Sequence, residues 1–165
     1  LDFSFGGSEY DVACGLSEGP IFYSKKQNIP VIEPATFSPV FFEKLYFVYL
    51  NQKQNSQHAV KDFDLKKVNK SIIEKLNNLT EVISSTVDFN EFEKAIDDHE
   101  TIIGDLINRK PIKDLLFSNF SGSIKSLGAW GGDFILVTES GDTVRYFEEM
   151  GYTTIIPWKE MGLVV

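Results

Sequence analysis

The stretch LYFVYL, residues 45–50, decides the fold class of this chain. It consists of aromatic, β-branched and leucine side chains, which suit a strand buried on both faces. A six-residue apolar run would also fit a buried helix, but the spaced prolines Pro30, Pro34 and Pro39 and the polar NQKQNSQ that follows favour the strand. We therefore predict a central strand at residues 45–50.

Two amphipathic helices are predicted after this strand, because apolar residues recur at intervals of three and four. The first stripe consists of Leu65, Val68, Ile72, Leu76, Leu79 and Ile83. The second consists of Phe89, Phe92, Ile96, His99, Ile103 and Leu106. Asp88 or Asn90 suits the start of the second helix, and Pro111 stops it.

The remaining elements are shorter. They are a helix near the start, a strand at 21–23, a helix at 113–117, a loop rich in Ser and Gly, a strand at 134–138, a helix at 143–150 and a strand at 152–156. The order of strand, two long helices, strand, helix and strand predicts an α+β sandwich. We expect its helices to pack on one face of a small sheet.

The composition of the chain limits the size of its hydrophobic core and the classes of partner that it can bind. The chain has 165 residues, of which 42% are hydrophobic, enough for a sizeable core without a disulfide or metal. Its 24 acids against 16 bases give a net charge of −8, which disfavours nucleic acid. No apolar run approaches the roughly 18 residues of a membrane span. The single Cys14 favours a reducing, cytoplasmic location.

Charge is unevenly distributed along the chain. Residues 81–105 hold eight acids and one Lys, a net charge of −7, whereas residues 109–125 hold four bases and one acid, a net charge of +3. A locally positive loop on an acidic protein suits a small anionic ligand.

The segment SIKSLGAWGGDFILV, residues 123–137, is the first candidate for a binding site. Its three glycines let the backbone N–H groups approach a ligand, and Lys125 adds positive charge. Loops of this kind hold phosphate or carboxylate groups. The alternative is a tight turn that leads into the following strand.

The segment GGSEYDVACG, residues 6–15, is the second candidate. Asp11 follows a glycine-rich turn and opens a short apolar helix. Its carboxylate could cap that helix, or it could orient a substrate hydroxyl or accept its proton during phosphoryl transfer. The residues alone leave both readings open.

Together these segments resemble the GHMP kinases, the superfamily of galactokinase, homoserine kinase, mevalonate kinase and phosphomevalonate kinase. GGSEYDVACGLSEGPIFYS is similar to the GSGYDIA stretch of a bacterial branch. KSLGAWGGDF resembles the third, glycine-rich motif of the superfamily, closest to its phosphomevalonate-kinase form, and YTTIIPWKEMGL resembles the end of the same branch. The first motif and the second motif, which cradles the ATP phosphates, are not found in this sequence.

The resemblance implies roles for individual residues. Asp11 matches the acid that activates or orients the acceptor hydroxyl in mevalonate-type members, and Ser8 and Tyr10 flank it. Ser56 falls where members often have Ser or Thr. The third motif is matched by Lys125, Gly128, Ala129, Gly131, Gly132 and Asp133.

Two residues depart from the family pattern. Glu9 stands where the branch has Gly, so the turn before Asp11 either avoids positive φ or holds Glu9 strained. Trp130 replaces a middle glycine of the third motif. Its ring could stack on a base, exclude water or pack against the sheet, and we favour packing.

The resemblance therefore implies a piece of a longer kinase. Residues 1–40 would be the tail of its first domain with a connector, and residues 41–165 a ferredoxin-like C-terminal domain. The intact enzyme would use ATP and Mg²⁺ to phosphorylate a hydroxyl or phosphate of a small metabolite, with mevalonate or phosphomevalonate as the first guess. A homodimer, or association with the missing half, is the protein partnership to expect. The alternative is a non-catalytic small-molecule-binding or interaction module of the same fold.

The other polar residues carry weaker predictions. His58 is predicted in a solvated loop, and His99 as a partly buried or partnered imidazole. Cys14 is predicted to pack as a small apolar residue. Asp97, Asp98 and Glu100 are predicted to form a solvated acidic face.

Overall fold

The computed structural model describes residues 9–27, 29–35, 37–52, 67–128, 130 and 133–161. The chain forms two compact units that divide between Ser38 and Pro39. The first holds a helix and a two-stranded sheet, and the second holds a four-stranded sheet with its helices. The mixed α+β class predicted from the sequence is confirmed, and both sheets are antiparallel.

The first unit contains helix α1, Tyr10–Leu16, and strands β1, Ile21–Lys26, and β2, Ile29–Pro34. The two strands pair along their whole length, with Ile21 opposite Pro34 and Lys26 opposite Ile29. The sequence predicts the beginning of β1 and an extended connector through the proline-spaced residues after it. The structure instead pairs residues Ile29–Pro34 of that segment with β1 as a strand. A strand with one neighbour can hold prolines on its unpaired side, as β2 does.

The second unit contains the elements β3 Leu45–Tyr49, α2 Lys70–Ser85, α3 Phe89–Ile107, α4 Ile112–Leu116, β4 Ile124–Ser126, β5 Phe134–Thr138, α5 Thr143–Glu149, β6 Ile155–Pro157 and α6 Trp158–Met161. A 3-10 turn, Phe42–Lys44, leads into β3. The strand order is β4-β5-β3-β6, and every neighbouring pair is antiparallel. The LYFVYL stretch therefore forms an inner strand, as predicted.

One cluster of buried apolar side chains lies on one face of this sheet. The buried side chains of that cluster are Val48, Leu50, Ile112, Phe117, Phe120, Ile124, Ile135, Val137 and Phe147. Phe147 belongs to α5, and its ring lies 5.1 Å from that of Phe117. The helix α5 and the segment around α4 thus cover this face.

Helix α3 lies against the opposite face. Lys125 of β4 and Thr138 of β5 alternate with the core residues of their strands, and they hydrogen-bond Glu100 and Glu93 of α3. Because successive side chains of a strand point to opposite faces, α3 and α5 are on different sides of the sheet. The prediction that the helices share one face is therefore wrong.

The long helices begin at polar caps. The Asp88 carboxylate accepts a hydrogen bond from the Glu91 N–H at 3.0 Å, which confirms the predicted start of α3. Asn69 caps α2 by accepting from the Ile72 N–H at 3.1 Å. None of the 16 residues of α2 is fully buried, so this helix packs on α3 through half-buried side chains.

The Thr138 hydroxyl joins three elements behind the sheet. It donates to Glu93 Oε1 of α3 at 2.6 Å and accepts from the backbone N–H of Ser123, just before β4, at 2.7 Å. Thr138 is fully buried and Ser123 is 3% exposed. The Glu93 carboxylate thereby accepts a hydrogen bond from a donor inside the protein, the Thr138 hydroxyl.

Candidate functional site

The glycine-rich loop is held by backbone hydrogen bonds at its base. Leu127 N–H donates to the carbonyl of Phe134 at 3.2 Å, and Leu50 N–H donates to the carbonyl of Asp133 at 2.8 Å. The loop is thus fixed between β4 and β5 and against the end of β3. The sequence assigns residues 124–126 to a loop, whereas the structure makes them the edge strand β4.

Lys125 precedes this loop on β4, and its ammonium is already partnered. Lys125 Nζ lies 3.2 Å from Glu100 Oε1 and 3.3 Å from His99 Nδ1. The side chain of Lys125 is 20% exposed and that of Glu100 is 2% exposed. We call His99, Glu100 and Lys125 the lysine cluster.

The place of Glu100 contradicts the prediction that it lies on a solvated acidic face. It falls on a buried stripe of α3 that recurs every four residues, at Phe92, Ile96, Glu100 itself and Gly104. That spacing was visible in the sequence, but a charged residue was not expected to continue it. The nearby Lys125 explains how the carboxylate is held there.

His99 stays neutral in the lysine cluster at neutral pH. Burial lowers the pKa of His99 to about 4, and the positive charge of Lys125 adds to the effect. Since an ammonium can only donate, Nδ1 of the neutral ring accepts the hydrogen bond from Lys125. A partly buried and partnered imidazole is confirmed for His99.

Within the loop, Gly128 and Trp130 both have positive φ, at 60° and 43°. This conformation is ordinary for Gly128 and strained for Trp130. The Trp130 ring packs on α3: its Cη2 atom lies 3.1 Å from the position that a Cβ on Gly104 would occupy. Ala129, Gly131 and Gly132 lie outside the described residues.

Three buried side-chain atoms have no hydrogen-bond partner within the described ranges. They are Nε1 of Trp130, a donor, Oε2 of Glu100, an acceptor, and the hydroxyl oxygen of Ser126. The other Glu100 oxygen is taken by Lys125. Unmatched buried groups of this kind are uncommon in native structures and point to a ligand, a water or a movement.

The second candidate segment lies in the first unit. Glu9 stands at the N-cap of α1 with φ 65°, in the left-handed region, and its carboxylate pairs with Lys25 Nζ at 3.3 Å. The turn therefore holds Glu9 in a strained conformation, which was one of the two outcomes expected. Tyr10 makes an edge contact with Tyr23, with ring centroids 5.8 Å apart.

Asp11 is exposed in the first turn of α1. Since the N-cap position belongs to Glu9, the suggestion that Asp11 caps the helix is not supported, although its charge suits the positive end. Burial raises the pKa of the neighbouring Tyr10, with further contributions from Cys14 and Asp11. Cys14 itself is exposed, so the prediction that it packs as a small apolar residue is wrong.

The predicted site residues are divided between the two units. Tyr10 and Asp11 belong to the first unit, and Lys125, Gly128 and Asp133 belong to the second. Ser8, Ser56 and His58 lie outside the described residues. The structure brings Lys125 together with His99 and Glu100, two residues that the sequence had not linked to it.

No family model matches the chain, and no curated protein matches it. In the part of the chain that the structure describes, no three His, Cys, Asp or Glu side chains are grouped as metal ligands. Nor does any described helix combine the length and the apolar character needed to cross a membrane. The family resemblance accordingly stays a prediction.

Proposed function

We propose that this chain is part of an ATP-dependent small-molecule kinase of the GHMP type. The backbone at Glu9 and Trp130 carries the proposal. Both residues stand where the family pattern has Gly, and both have positive φ, 65° and 43°. A residue with a Cβ adopts this conformation at a cost of roughly 1–2 kcal/mol. At the two positions where this chain departs from the family pattern, the backbone thus has the conformation that glycine favours although neither residue is glycine. This supports the proposal that the chain derives from a sequence with that pattern.

The order of elements supports the finer proposal of a ferredoxin-like domain. From β3 to β6 the chain passes through strand, helices, strand, strand, helix and strand, which is the β-α-β-β-α-β order of that fold. The antiparallel order β4-β5-β3-β6 agrees with it. The packing of α3 and α5 on opposite faces is a departure from the simple sandwich.

In the proposed reaction, the intact enzyme transfers the γ-phosphoryl group of ATP to a hydroxyl or phosphate of a small metabolite, with mevalonate or phosphomevalonate as first choices. Asp11 orients the acceptor or takes its proton, and its exposure on α1 supports access to a ligand. In this proposal, backbone N–H groups of the loop stabilise the developing negative charge, and the positive φ of Gly128 and Trp130 supports this role.

The contacts of Lys125 refine its part in this proposal. Because Glu100 already balances its charge at 3.2 Å, we assign Lys125 to holding the start of the loop rather than to neutralising phosphate. In kinases Mg²⁺ is held by one or two carboxylates together with the ATP phosphates, and among the described residues no three His, Cys, Asp or Glu side chains are grouped as metal ligands. No step through the metal is therefore assigned to them.

The proposal is tested on the full-length protein of the native gene. ATP consumption is measured with mevalonate, with phosphomevalonate and with simple sugars. We expect turnover with one acceptor, and a fall in kcat of at least roughly 100-fold in Asp11→Asn, the range typical of general acid or base catalysis. Glu18→Gln is the matched control, an exposed acid of the same unit that should keep full turnover.

A non-catalytic binding module of the same fold is the second candidate. The observation that favours it is the neutralised Lys125, which leaves the loop without an unpaired ammonium of its own. If the native gene lacks the two motifs that the kinases carry ahead of this region, and no acceptor stimulates ATP consumption, this second function replaces the first. In either case we propose a cytoplasmic protein, because its single cysteine, Cys14, is exposed and unpaired.

A further inference from the structure

The Trp130 ring lies against helix α3 at the one place on its buried stripe that has no side chain. Gly104 is buried and continues the stripe of Phe92, Ile96 and Glu100. A Cβ at Gly104 would lie 3.1 Å from Cη2 of Trp130, which is closer than the roughly 3.5–4.0 Å of an ordinary carbon contact. The indole therefore needs glycine at position 104 in order to reach the helix.

Two unfavourable features accompany this position of the ring. The backbone of Trp130 has a φ of 43°, in the left-handed region that a residue with a Cβ rarely adopts. Its Nε1 atom is buried and has no hydrogen-bond partner in the part of the chain that the structure describes. Such features persist only where the surrounding contacts determine the conformation. Because this N–H is unmatched, the packing of the ring on α3, rather than a hydrogen bond of the indole, holds Trp130 in place.

Gly128, two residues before Trp130, has little around it that could fix its conformation. It is exposed, and its φ is 60°. No atom of the described residues lies within 4 Å of the place where a Cβ of Gly128 would stand. Since glycine adopts many conformations at similar cost, the one seen at Gly128 depends on how the chain is held on either side of it.

Helix α3 holds the chain on both of these sides. Before Gly128, Lys125 Nζ lies 3.2 Å from Glu100 Oε1. After Gly128, the Trp130 ring lies against Gly104. Glu100 and Gly104 are four residues apart, so both contacts are on the same face of α3 and roughly 6 Å apart along its axis.

We propose that Trp130 is a positioning residue of the glycine-rich loop, whose docking on α3 fixes the backbone N–H groups around Gly128 for an anionic ligand. The identity of that ligand, a phosphate group of the substrates, rests on the proposed function, whereas the docking does not. A glycine at position 130, as in the family pattern, would relieve the backbone strain but would also remove the ring that holds the loop.

The rigidity of the Gly128 amide tests this role without any need for turnover. In ¹⁵N relaxation of the full chain, we expect an order parameter of about 0.85 for Gly128 in the original chain and below about 0.6 in Trp130→Ala. Trp130→Phe keeps a ring and lacks the unmatched N–H, so it should retain most of the order. A Gly128 that is flexible in the original chain, or equally rigid in Trp130→Ala, would overturn the proposal.

Trp158→Ala is the matched control, because it also removes an indole from the second unit. The Trp158 ring stacks on Phe47 of β3, with ring centroids 5.2 Å apart. Its removal should leave the order parameter of Gly128 unchanged. An equal loss of order in Trp130→Ala and Trp158→Ala would mean that losing either indole loosens the whole unit, and the specific role of Trp130 would be rejected.

Turnover of the full-length protein of the native gene gives a second readout. With an acceptor that supports ATP consumption, Trp130→Ala should lower kcat per folded enzyme by roughly 10- to 100-fold, because the loop no longer holds its N–H groups in place. Trp130→Phe should recover most of this loss, and Trp158→Ala should keep full turnover. An unchanged kcat in Trp130→Ala would overturn the proposal. If no acceptor supports turnover, the proposed function fails, and the order of Gly128 still decides whether Trp130 positions the loop.

Discussion

Lys125 Nζ lies 3.2 Å from Glu100 Oε1, and the carboxylate of this pair is 2% exposed. Two charges at such a site stabilise each other, but both lose much of their hydration on folding. The intact pair therefore contributes less to the stability of the fold than its short N–O distance suggests. Removing one member exposes the full cost of burying the other.

Replacing Lys125 alone should destabilise the second unit. In Lys125→Met, the Glu100 carboxylate is left without its countercharge, and we expect the free energy of unfolding to fall by about 3 kcal/mol. The double variant with Glu100→Gln should recover most of that loss, because no isolated charge remains. Urea denaturation of the original chain, both single variants and the double variant gives the coupling energy of the pair.

The exposed pair Arg145 and Glu149 is the control for this cycle. Its atoms are as close as 2.8 Å, but its side chains are 72% and 64% exposed. Removing either partner should change the free energy of unfolding by less than about 0.5 kcal/mol. Similar coupling energies for the two pairs would mean that burial does not set the difference.

His99 should make the protein less stable in acid. Its pKa is about 4 in the folded chain and 6.5 without the fold, so the unfolded chain binds the proton first as pH falls. Its contribution is fully present above pH 6.5 and is lost as pH falls towards 4. We expect a loss of about 2 kcal/mol between pH 7.5 and 4.5 from this group, measured by urea unfolding at both values.

The variant His99→Gln separates this effect from the titration of carboxylates. It removes the imidazole while leaving the other acids in place, so its stability should fall less over the same pH range. The difference between the two pH dependences is the contribution of His99. Parallel curves for the two proteins would show that the imidazole titrates near its ordinary value.

Gly104 should not tolerate a larger residue. A Cβ there would lie 2.6 Å from the carbonyl oxygen of Arg109 and 3.1 Å from Cη2 of Trp130. The first contact is with backbone, which cannot move aside easily, so Gly104→Ala should lower the free energy of unfolding by about 1–3 kcal/mol. The indole should also shift, which tryptophan fluorescence would detect as a changed emission maximum.

Gly15→Ala is the matched change in a helix with free space. No atom lies within 4 Å of a Cβ at Gly15. Because alanine favours helices, stability should stay constant or rise by up to about 1 kcal/mol. A loss in Gly15→Ala as large as in Gly104→Ala would remove the steric explanation.

The positive φ of Glu9 predicts that glycine at this position gives a more stable protein than alanine does. At φ 65° a glycine is unstrained, so Glu9→Gly should be more stable than Glu9→Ala by about 1 kcal/mol. Both variants lose the ion pair with Lys25, so that contact cancels in the comparison. Unfolding of α1, followed by circular dichroism, provides the measurement. If the alanine variant equals the glycine variant, Glu9 does not hold positive φ.

Much of the second unit could be predicted because its pattern is strong. The strand at 134–138 has the predicted bounds, and the stripe of α3 is confirmed with its start at Asp88. The three-residue strand β4 was missed because it is too short for a period of two and lies among Ser and Gly. Strand β2 was missed because Pro30 and Pro34 normally argue against a paired strand.

The candidate site was predicted in part. Lys125 and the loop after it were identified from composition and resemblance, but the partners of Lys125 were not. Glu100 was assigned to solvent because isolated acids are seldom buried, and its partner is 25 residues away in sequence. Pairings at that separation depend on how α3 lies against β4, which no local pattern encodes.

The buried hydroxyl of Thr138 has a consequence for how the second unit opens. The helix cannot leave the sheet without breaking the bond from this hydroxyl to Glu93, and the edge strand cannot leave without breaking the bond from the Ser123 N–H to the same hydroxyl. We therefore expect α3 and the edge strand β4 to open together in one cooperative event rather than separately. The amide proton of Ser123 should then exchange with solvent deuterium as slowly as the amides in the middle of β5.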